Sequence, residues 1–284
     1  MHKPMVKTAL LALLGLASVA TSAQAAVTLK DRFQQTYPLQ SGGTVTLDNV
    51  NGGVTIEAWD RNEVMVVADK EVKAKTDDAA KKAMQQVQIQ VNKGNGRLDI
   101  VTKLPKRDNG LFEWMAGNNV NINVKYQVKV PRNATLDVET VNGGVRVAGT
   151  HGKANVETTN GALTIDGVHG NLDLETTNGA INVTRSAGAV EAETTNGGIE
   201  IELTEVPDGS DLSFETTNGG VTVRLPRDIR VSLDAATSNG RVDSDFDVDG
   251  ADSKSKRRLS GDINGGGGKL RVRSTNGSVS IEEI

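Results

Sequence analysis

The sequence predicts an all-β protein, a β-solenoid similar to a parallel β-helix, with coils of about 18–22 residues. A short motif, Glu-Thr-Thr-Asn-Gly with small variations, returns through the second half of the chain. A fixed period of this kind is typical of repeat proteins, in which each unit stacks on its neighbour to complete a core. The composition agrees, because aromatic residues make up only 3% of the chain while Gly numbers 31.

The Asn-Gly pairs also fit an antiparallel meander or barrel, because Asn-Gly between alternating segments is a strong hairpin signal. We favour the solenoid, since the repeated residues keep both their identity and a spacing of 18 residues. Parallel stacking at about 4.8 Å places equivalent side chains above each other, where amides form a hydrogen-bonded ladder. The expected structural ladder consists of Asn142, Asn160, Asn178 and Asn196, with Thr140, Thr158, Thr176 and Thr194 beside it.

The first 25 residues have the features of an export signal. Lys3 and Lys7 give a positive start, an apolar stretch runs from Ala9 to Ala20, and Ala23-Gln24-Ala25 is a small-residue cleavage site. The apolar stretch is shorter than the roughly 20 residues of a membrane span. We therefore expect residues 1–25 to be a signal peptide, and the mature chain, without a transmembrane segment, to be periplasmic, extracellular or on the cell surface.

Residues 26–133 are predicted to be rich in strands and to contain one short helix. Thr44–Leu47 and Val54–Trp59 alternate in polarity around an Asn-Gly-Gly turn. Thr76 begins a helix that runs through Gln86, because a hydroxyl cap is followed by two acids and a row of helix formers. Residues 134–284 form the Asn-Gly repeat solenoid, which we expect to be continuous with the preceding segment.

Residues 103–119 are the irregular part of the first half, and they contain two of the six Phe and Trp residues of the chain. One interpretation is a loop that folds back over one end of the sheet. The other is an exposed apolar tip that docks a protein partner or a membrane surface. The candidate docking residues are Leu111, Phe112, Trp114 and Met115.

The repeat loosens beyond Pro226, where the intervals between motif asparagines become irregular. From Asn196 to Asn276 they measure 22, 21 and 37 residues. A polar excursion from Asp247 to Arg258 is predicted to be a loop. The last segment, Gly265–Ile281, resumes the motif, and we expect it to close the stack and cap its edge.

Four segments of the chain resemble the bacterial "putative adhesin" domain family. Val54–Val64 is similar to the family's early strand and tryptophan turn, and Val128–Leu136 to its Val-Pro entry into the repeats. The Thr-Asn-Gly repeats and Gly265–Ile281 complete the resemblance, which covers nearly all of the mature chain. It implies a solenoid fold and surface attachment. It carries over no catalytic residues, because its motifs are structural.

Acidic side chains recur at one outward position of the repeat, and a second set lies two residues earlier on the same face. Carboxylates about 5 Å apart repel each other, so this stripe is either tolerated through solvation and salt or binds calcium or a cationic polymer. The candidate binding residues are Asp137, Glu139, Glu157, Asp173, Glu175, Glu191, Glu193 and Glu215.

Other kinds of chemistry have little support in the sequence. The formal net charge of −4 becomes −6 without the two Lys of the signal peptide, which argues against nucleic-acid binding. The chain has no Cys nucleophile and no Gly-x-Ser-x-Gly motif, so we assign no catalytic residue.

No metal site or cofactor is predicted, apart from weak calcium binding. His151 and His169 occupy the same turn 18 residues apart, and we expect a solvated pair, since structural zinc takes four ligands. A calcium-like loop from Asp245 has Lys256 where a bidentate Glu belongs.

These observations favour a non-catalytic exported protein with an adhesin-like binding or scaffolding surface in the bacterial cell envelope. The alternative is a periplasmic accessory or regulatory protein that docks a membrane or envelope partner through residues 111–115. A polysaccharide-active enzyme is less favoured, because Phe214 is the only aromatic residue that the regular repeats offer as a sugar platform.

Overall fold

The computed structural model, which describes residues 26–104, 111–251 and 255–284, contains two sheets that face each other across one hydrophobic core. Each sheet has eleven described strands, and every regular coil contributes one strand to each. Apolar and polar side chains alternate along the strands, so each coil turns a row of Val, Ile or Leu inward. The predicted β-solenoid is therefore confirmed.

The regular part of the solenoid runs from residue 135 to residue 225, with parallel pairing throughout. Val156 lies beside Leu174, which follows it by one repeat. This register excludes the antiparallel meander, in which consecutive strands would pair. Sheet 1 contains β8 (Thr135–Asn142), β10 (Ala154–Asn160), β12 (Leu172–Asn178), β14 (Val190–Asn196) and β16 (Leu212–Asn218). Sheet 2 contains β9 (Val145–Ala148), β11 (Leu163–Asp166), β13 (Ile181–Ala187), β15 (Ile199–Glu205) and β17 (Val221–Leu225).

At each Asn-Gly turn the chain passes from sheet 1 to sheet 2. The space at the turn glycine is too small for any side chain. A Cβ atom added at Gly179 would overlap the backbone carbonyl of Gly161 in the preceding coil. One added at Gly197 would overlap the carbonyl of Gly179. The motif glycine is therefore required by the close approach of stacked backbones.

The segment before residue 134 extends both sheets, with parallel pairing next to the repeats and antiparallel pairing at the outer edge. Its strands are β1 (Val27–Pro38), β2 (Thr44–Asn51), β3 (Val54–Trp59), β4 (Glu63–Ala74), β5 (Gln88–Gly94), β6 (Arg97–Lys103) and β7 (Asn121–Pro131). β4 is antiparallel to both β1 and β7, and β5 is antiparallel to β6. β2 pairs with β6 and β8, and β3 pairs with β7 and β9. Both sheets thus run without interruption into the repeats.

The predicted helix is present, and a second short helix follows it. α1 (Asp77–Gln86) begins after Thr76, whose Oγ1 accepts a hydrogen bond of 3.2 Å from the backbone N–H of Ala79. α2 (Leu111–Gly117) lies in the stretch that was predicted to be irregular, so that prediction is wrong for these residues. Asn118 stabilises the end of α2, since its Nδ2 donates to the carbonyl of Trp114 at 2.8 Å.

The C-terminal strands do not stack in the order of the sequence. They are β18 (Val231–Asn239), β19 (Val242–Ser244), β20 (Arg258–Ile263), β21 (Gly268–Asn276) and β22 (Val279–Glu283). β21 lies between β16 and β18, and β22 lies between β17 and β19. The expectation that the last segment caps the stack is therefore wrong. Antiparallel β20 already occupies the outer edge of β18, so the final coil enters on its inner side.

Candidate functional site: the acidic column of sheet 1

A column of five glutamates, here called the acidic column, runs along the outward face of sheet 1. Glu157 lies beside Glu139 and Glu175. Glu193 lies beside Glu175 and Glu215. The residues before and after each glutamate point into the core, so all five carboxylates are exposed. Neighbouring strands of a sheet are about 4.8 Å apart, which sets the spacing of the column.

A second row of polar residues lies two positions earlier in each strand, on the same face. Asn155 separates Asp137 from Asp173, and its Nδ2 donates to Oδ1 of Asp137 at 3.1 Å. Glu191 lies beside Asp173 in the next coil. The structure thus brings all the predicted binding residues onto one face of sheet 1. They are Asp137, Glu139, Glu157, Asp173, Glu175, Glu191, Glu193 and Glu215.

The acidic column has no matching cation along most of its length. Among the described residues, its only ion-paired member is Glu215, whose Oε2 lies 4.0 Å from Nη2 of Arg271. Partial burial, followed by the carboxylates of Glu215 and Glu175, raises the pKa of Glu193 above its ordinary value. The column therefore concentrates negative charge beyond what its own neighbours neutralise.

Two further residues, at the two ends of the column, were not predicted from the sequence. Asp48 on β2 lies beside Glu139, and Arg273 on β21 lies beside Glu215. A signal for the first was present, because residues 48–53 repeat the acid-x-Val-Asn-Gly-Gly pattern of residues 139–144. The column thus begins with an acid and ends at an arginine.

The motif asparagines form a hydrogen-bonded ladder at the turn beside the acidic column. Nδ2 of Asn160 donates to Oδ1 of Asn142 at 2.9 Å, and Asn178 donates to Asn160 over the same distance. Asn196 adds the next rung, also at 2.9 Å. The ladder fixes the register of the strands that carry the glutamates. Its further members, at 2.8 or 2.9 Å, are Asn51, Asn218, Asn276 and Asn239.

Buried threonines connect the coils on the inner side of the same turn. Thr176 donates from Oγ1 to the carbonyl of Gly161 in the preceding coil at 3.0 Å, and Thr158 and Thr194 make equivalent bonds. Within the described structure, the buried Oγ1 of Thr140 has no partner. The carbonyl that it would reach, in Gly52, already accepts a hydrogen bond from the Nδ2 of Asn49.

The predicted docking residues do not join the acidic column. Trp114 and Met115 lie on α2, where their half-buried side chains pack against the core. Nζ of Lys82 on α1 lies 4.3 Å from the centre of the Trp114 ring. The side chains of Leu111 and Phe112 lie outside the described part of the structure. Packing at the N-terminal end of the solenoid thus accounts for Trp114 and Met115, and docking stays a prediction.

The two histidines lie on the opposite turn, where the chain passes from sheet 2 back to sheet 1. The rings of His151 and His169 are stacked, with centres 4.9 Å apart, and both residues are exposed. Partial burial, His169 and Arg132 together lower the pKa of His151. Across residues 26–104, 111–251 and 255–284, no group of three or more His, Asp or Glu residues is placed to hold a metal ion.

Among these same residues, no helix is both long and apolar enough to cross a membrane.

Three solved structures are similar to this chain, at low sequence identity. A "putative adhesin" from Bacteroides fragilis covers 89% of this chain and 97% of its own, at 12% identity and a TM-score of 0.37. A "putative adhesin" from Parabacteroides distasonis has the same coverage, 14% identity and a TM-score of 0.36. A "putative lipid binding protein" from the same species covers 89% and 97%, at 11% identity and a TM-score of 0.27. Likenesses this distant do not bear on function.

Comparison with curated proteins finds no match. The model of one protein family, described as Toastrack DUF4097, matches residues 44–282, which include the strands from β2 to β21, the Asn ladder and the acidic column. The chain therefore belongs to the Toastrack DUF4097 family.

Proposed function

We propose that this protein is a non-catalytic binding or scaffolding module of the bacterial cell envelope and that the acidic column is its binding surface. The ligand is cationic, either a basic polymer or divalent ions such as calcium that link the column to an anionic partner. The export-signal features of residues 1–25 support an envelope location. The rigid solenoid supports a role in presenting a surface.

The observation that carries this proposal is that the glutamates lie side by side in register and that most of their charges have no cationic partner in the described structure. Two unit charges about 5 Å apart repel by roughly 3 kcal/mol at an effective dielectric of 20, and by under about 1 kcal/mol in bulk water. Burial is the largest cause of the raised pKa of Glu193, and repulsion by Glu215 and Glu175 adds to it. The column is thus an unfavourable arrangement for the isolated protein, and a bound cation would relieve it.

The fold itself does not require a carboxylate at this position. The position that follows Glu215 in sheet 1 is occupied by Arg273, and the next by Ala236. Both strands keep the Asn ladder and the parallel register without an acid. The glutamates of the regular coils are therefore free to serve binding rather than folding.

The periodicity of the column determines what kind of ligand fits. A ligand with several positive charges meets a row of carboxylates that repeats about every 4.8 Å. Once one contact has formed, the others form within the same complex, which raises the overall affinity. All the carboxylates are exposed, so the attraction is expected to weaken as salt is added. A ligand with a single charge gains little from such a row.

The test compares two triple variants of equal net charge. The first, Glu157→Gln with Glu175→Gln and Glu193→Gln, neutralises the centre of the acidic column. The matched control, Glu57→Gln with Glu202→Gln and Glu205→Gln, removes three carboxylates from sheet 2, none of them ion-paired in the described structure. Each purified protein is sedimented with isolated cell envelopes, with and without millimolar calcium, over a range of salt concentrations.

We expect the column variant to lose retention while the control behaves like the parent. Equal retention of parent, column variant and control would refute the acidic column as the binding surface. The accessory-protein alternative gives a different pattern, in which Phe112→Ala with Trp114→Ala abolishes retention and the column variant does not. Glycan cleavage that is lost in the column variant would favour the enzyme alternative instead.

A further inference from the structure

The stacked histidines are the only histidines among the described residues, and they occupy equivalent positions in neighbouring coils. His151 follows β9 and His169 follows β11, so the two residues belong to successive coils. Their ring planes differ by 21° and their centres lie 4.9 Å apart. Because the coils are in register, both rings leave the same edge of the solenoid side by side.

The backbone beneath the rings is held by the neighbouring coils. The N–H of His151 donates to the carbonyl of Arg132 at 2.7 Å, and the N–H of His169 donates to that of Thr150 at 2.8 Å. The glycine after each histidine packs so closely on the preceding coil that an added Cβ would overlap a backbone carbonyl. The pair is therefore presented from fixed backbone positions, while both side chains remain exposed.

We propose that His151 and His169 form a two-imidazole site for a late first-row divalent ion, with copper(II) preferred over nickel and zinc. Imidazole nitrogen suits these three metals, and copper binds most tightly in the general order of affinities. Two nitrogens on one ion with bonds of about 2.0–2.1 Å lie at most about 4.2 Å apart. The rings are stacked nearly parallel, with centres 4.9 Å apart, so their in-plane lone pairs lie side by side. Because both side chains are exposed, rotation about their side-chain bonds can turn the two nitrogens towards one ion.

The surroundings leave the other coordination positions open. Within the described part of the chain no third His, Asp or Glu joins the pair as a ligand group, so water or donors from a bound molecule would complete the coordination sphere. The positive charge of Arg132, which acts on His151, is offset by Asp60, whose Oδ1 lies 2.8 Å from Nη2 of Arg132. With its other coordination positions open, the metal can link the protein to a second ligand.

This site is independent of the proposed function. The histidines lie on the turn from sheet 2 to sheet 1, whereas the Asn ladder lies on the turn from sheet 1 to sheet 2. Copper binding by the pair and cation binding by the acidic column can thus be separated by mutation. The column triple variant, Glu157→Gln with Glu175→Gln and Glu193→Gln, serves as the matched control.

The experiment titrates copper(II), then nickel(II), into the complete chain, purified without a polyhistidine tag and carrying His2→Ala. Calorimetry gives the stoichiometry and affinity, and electron paramagnetic resonance counts the nitrogens bound to copper. The variants are His151→Ala, His169→Ala and the double variant. His169→Phe keeps a ring in the stack but removes both nitrogens, and thermal melts confirm that each variant is folded.

We expect one tight copper per chain with two imidazole nitrogens in its spectrum. Each single variant, including His169→Phe, should weaken binding by at least about tenfold, since even indirect support of a metal ligand is worth that much. The double variant should lose the site, and the column control should keep it. Unchanged affinity in both single variants, or a spectrum with one nitrogen in the parent, would overturn the proposal.

Discussion

Asn276 donates from its Nδ2 to the Oδ1 of Asn218 at 2.8 Å, although 58 residues of chain separate them. Asn239, which lies between them in the sequence, is the rung beyond Asn276. The final coil of the chain is thus inserted between two coils that precede it. This arrangement makes the last twenty residues an internal part of the stack.

Deleting residues 265–284 should therefore destabilise the whole C-terminal third rather than trim an end. The deletion removes four buried side chains, Leu270, Val272, Val279 and Ile281, each worth about 1.5–3 kcal/mol. Their sum is as large as a typical total stability, about 5–15 kcal/mol. Limited proteolysis should find new cleavage sites after Pro226. A cooperative melt close to that of the parent would contradict the inserted order.

Breaking one rung in the middle of the ladder should cost more than breaking the last one. Asn178→Ala removes hydrogen bonds to both Asn160 and Asn196, while Asn239→Ala removes only the bond to Asn276. A neutral hydrogen bond contributes about 0.5–1.5 kcal/mol, less where water competes. We expect a loss of about 1 kcal/mol for Asn178→Ala and about half of that for Asn239→Ala in urea unfolding. Equal losses would show that the rungs do not act as a ladder.

The two kinds of buried threonine predict opposite responses to the same substitution. Thr176→Val removes a hydroxyl that donates to Gly161, and should lower the free energy of unfolding by about 1–2 kcal/mol. Thr140→Val removes a buried hydroxyl that lacks a partner in the described structure, and should leave stability unchanged or raise it. Chemical denaturation of the two variants side by side measures the difference. A comparable loss in both would mean that Thr140 is in fact hydrogen-bonded.

The acidic column predicts that Glu193→Gln stabilises the protein at neutral pH. Since the folded-state pKa of Glu193 lies above its ordinary value of 4.5, the folded protein binds this proton more tightly than the unfolded chain does. The resulting stability is present below pH 4.5 and is lost as the pH rises through the folded-state pKa. The variant should therefore melt higher than the parent at pH 7, and the difference should vanish near pH 4.

Glu205→Gln is the control for this prediction, because Glu205 is an exposed residue on sheet 2, away from the column. A surface substitution of this kind should change stability by less than about 0.5 kcal/mol. If both variants raise the melting temperature equally, the gain reflects net charge rather than the column.

The regular half of the fold could be predicted because its repeat is strict. Stacked copies of Thr158 and Asn160 pair only in parallel register, so identity and phase together indicate the architecture. The order of the last coils could not be predicted in this way. β18 and β21 carry nearly equivalent motifs, and nothing in their sequences says which lies next to β16. The choice depends on β20, whose antiparallel pairing with β18 is a tertiary contact.

Part of the candidate site could also be predicted from the repeat. The outward position of a strand follows from alternation, so the shared face of Glu157 and Glu175 could be predicted. The continuation of the column to Asp48 and Arg273 depends on which strands flank β8 and β16. The helix around Trp114 was missed because the capping by Asn118 is a side-chain contact that composition does not reveal.

The strict spacing of the regular coils gives this molecule an adjustable length. Both ends are fixed by special arrangements, the antiparallel strands at one and the inserted coil at the other, whereas the coils between Asn142 and Asn196 are interchangeable. Duplicating one 18-residue unit such as 161–178 would lengthen the solenoid by about 4.8 Å and add one carboxylate to the row. An insertion one residue longer would turn the inward side chains of that coil outward. Insertions and deletions in the gene can therefore change the length of the solenoid only by whole coils.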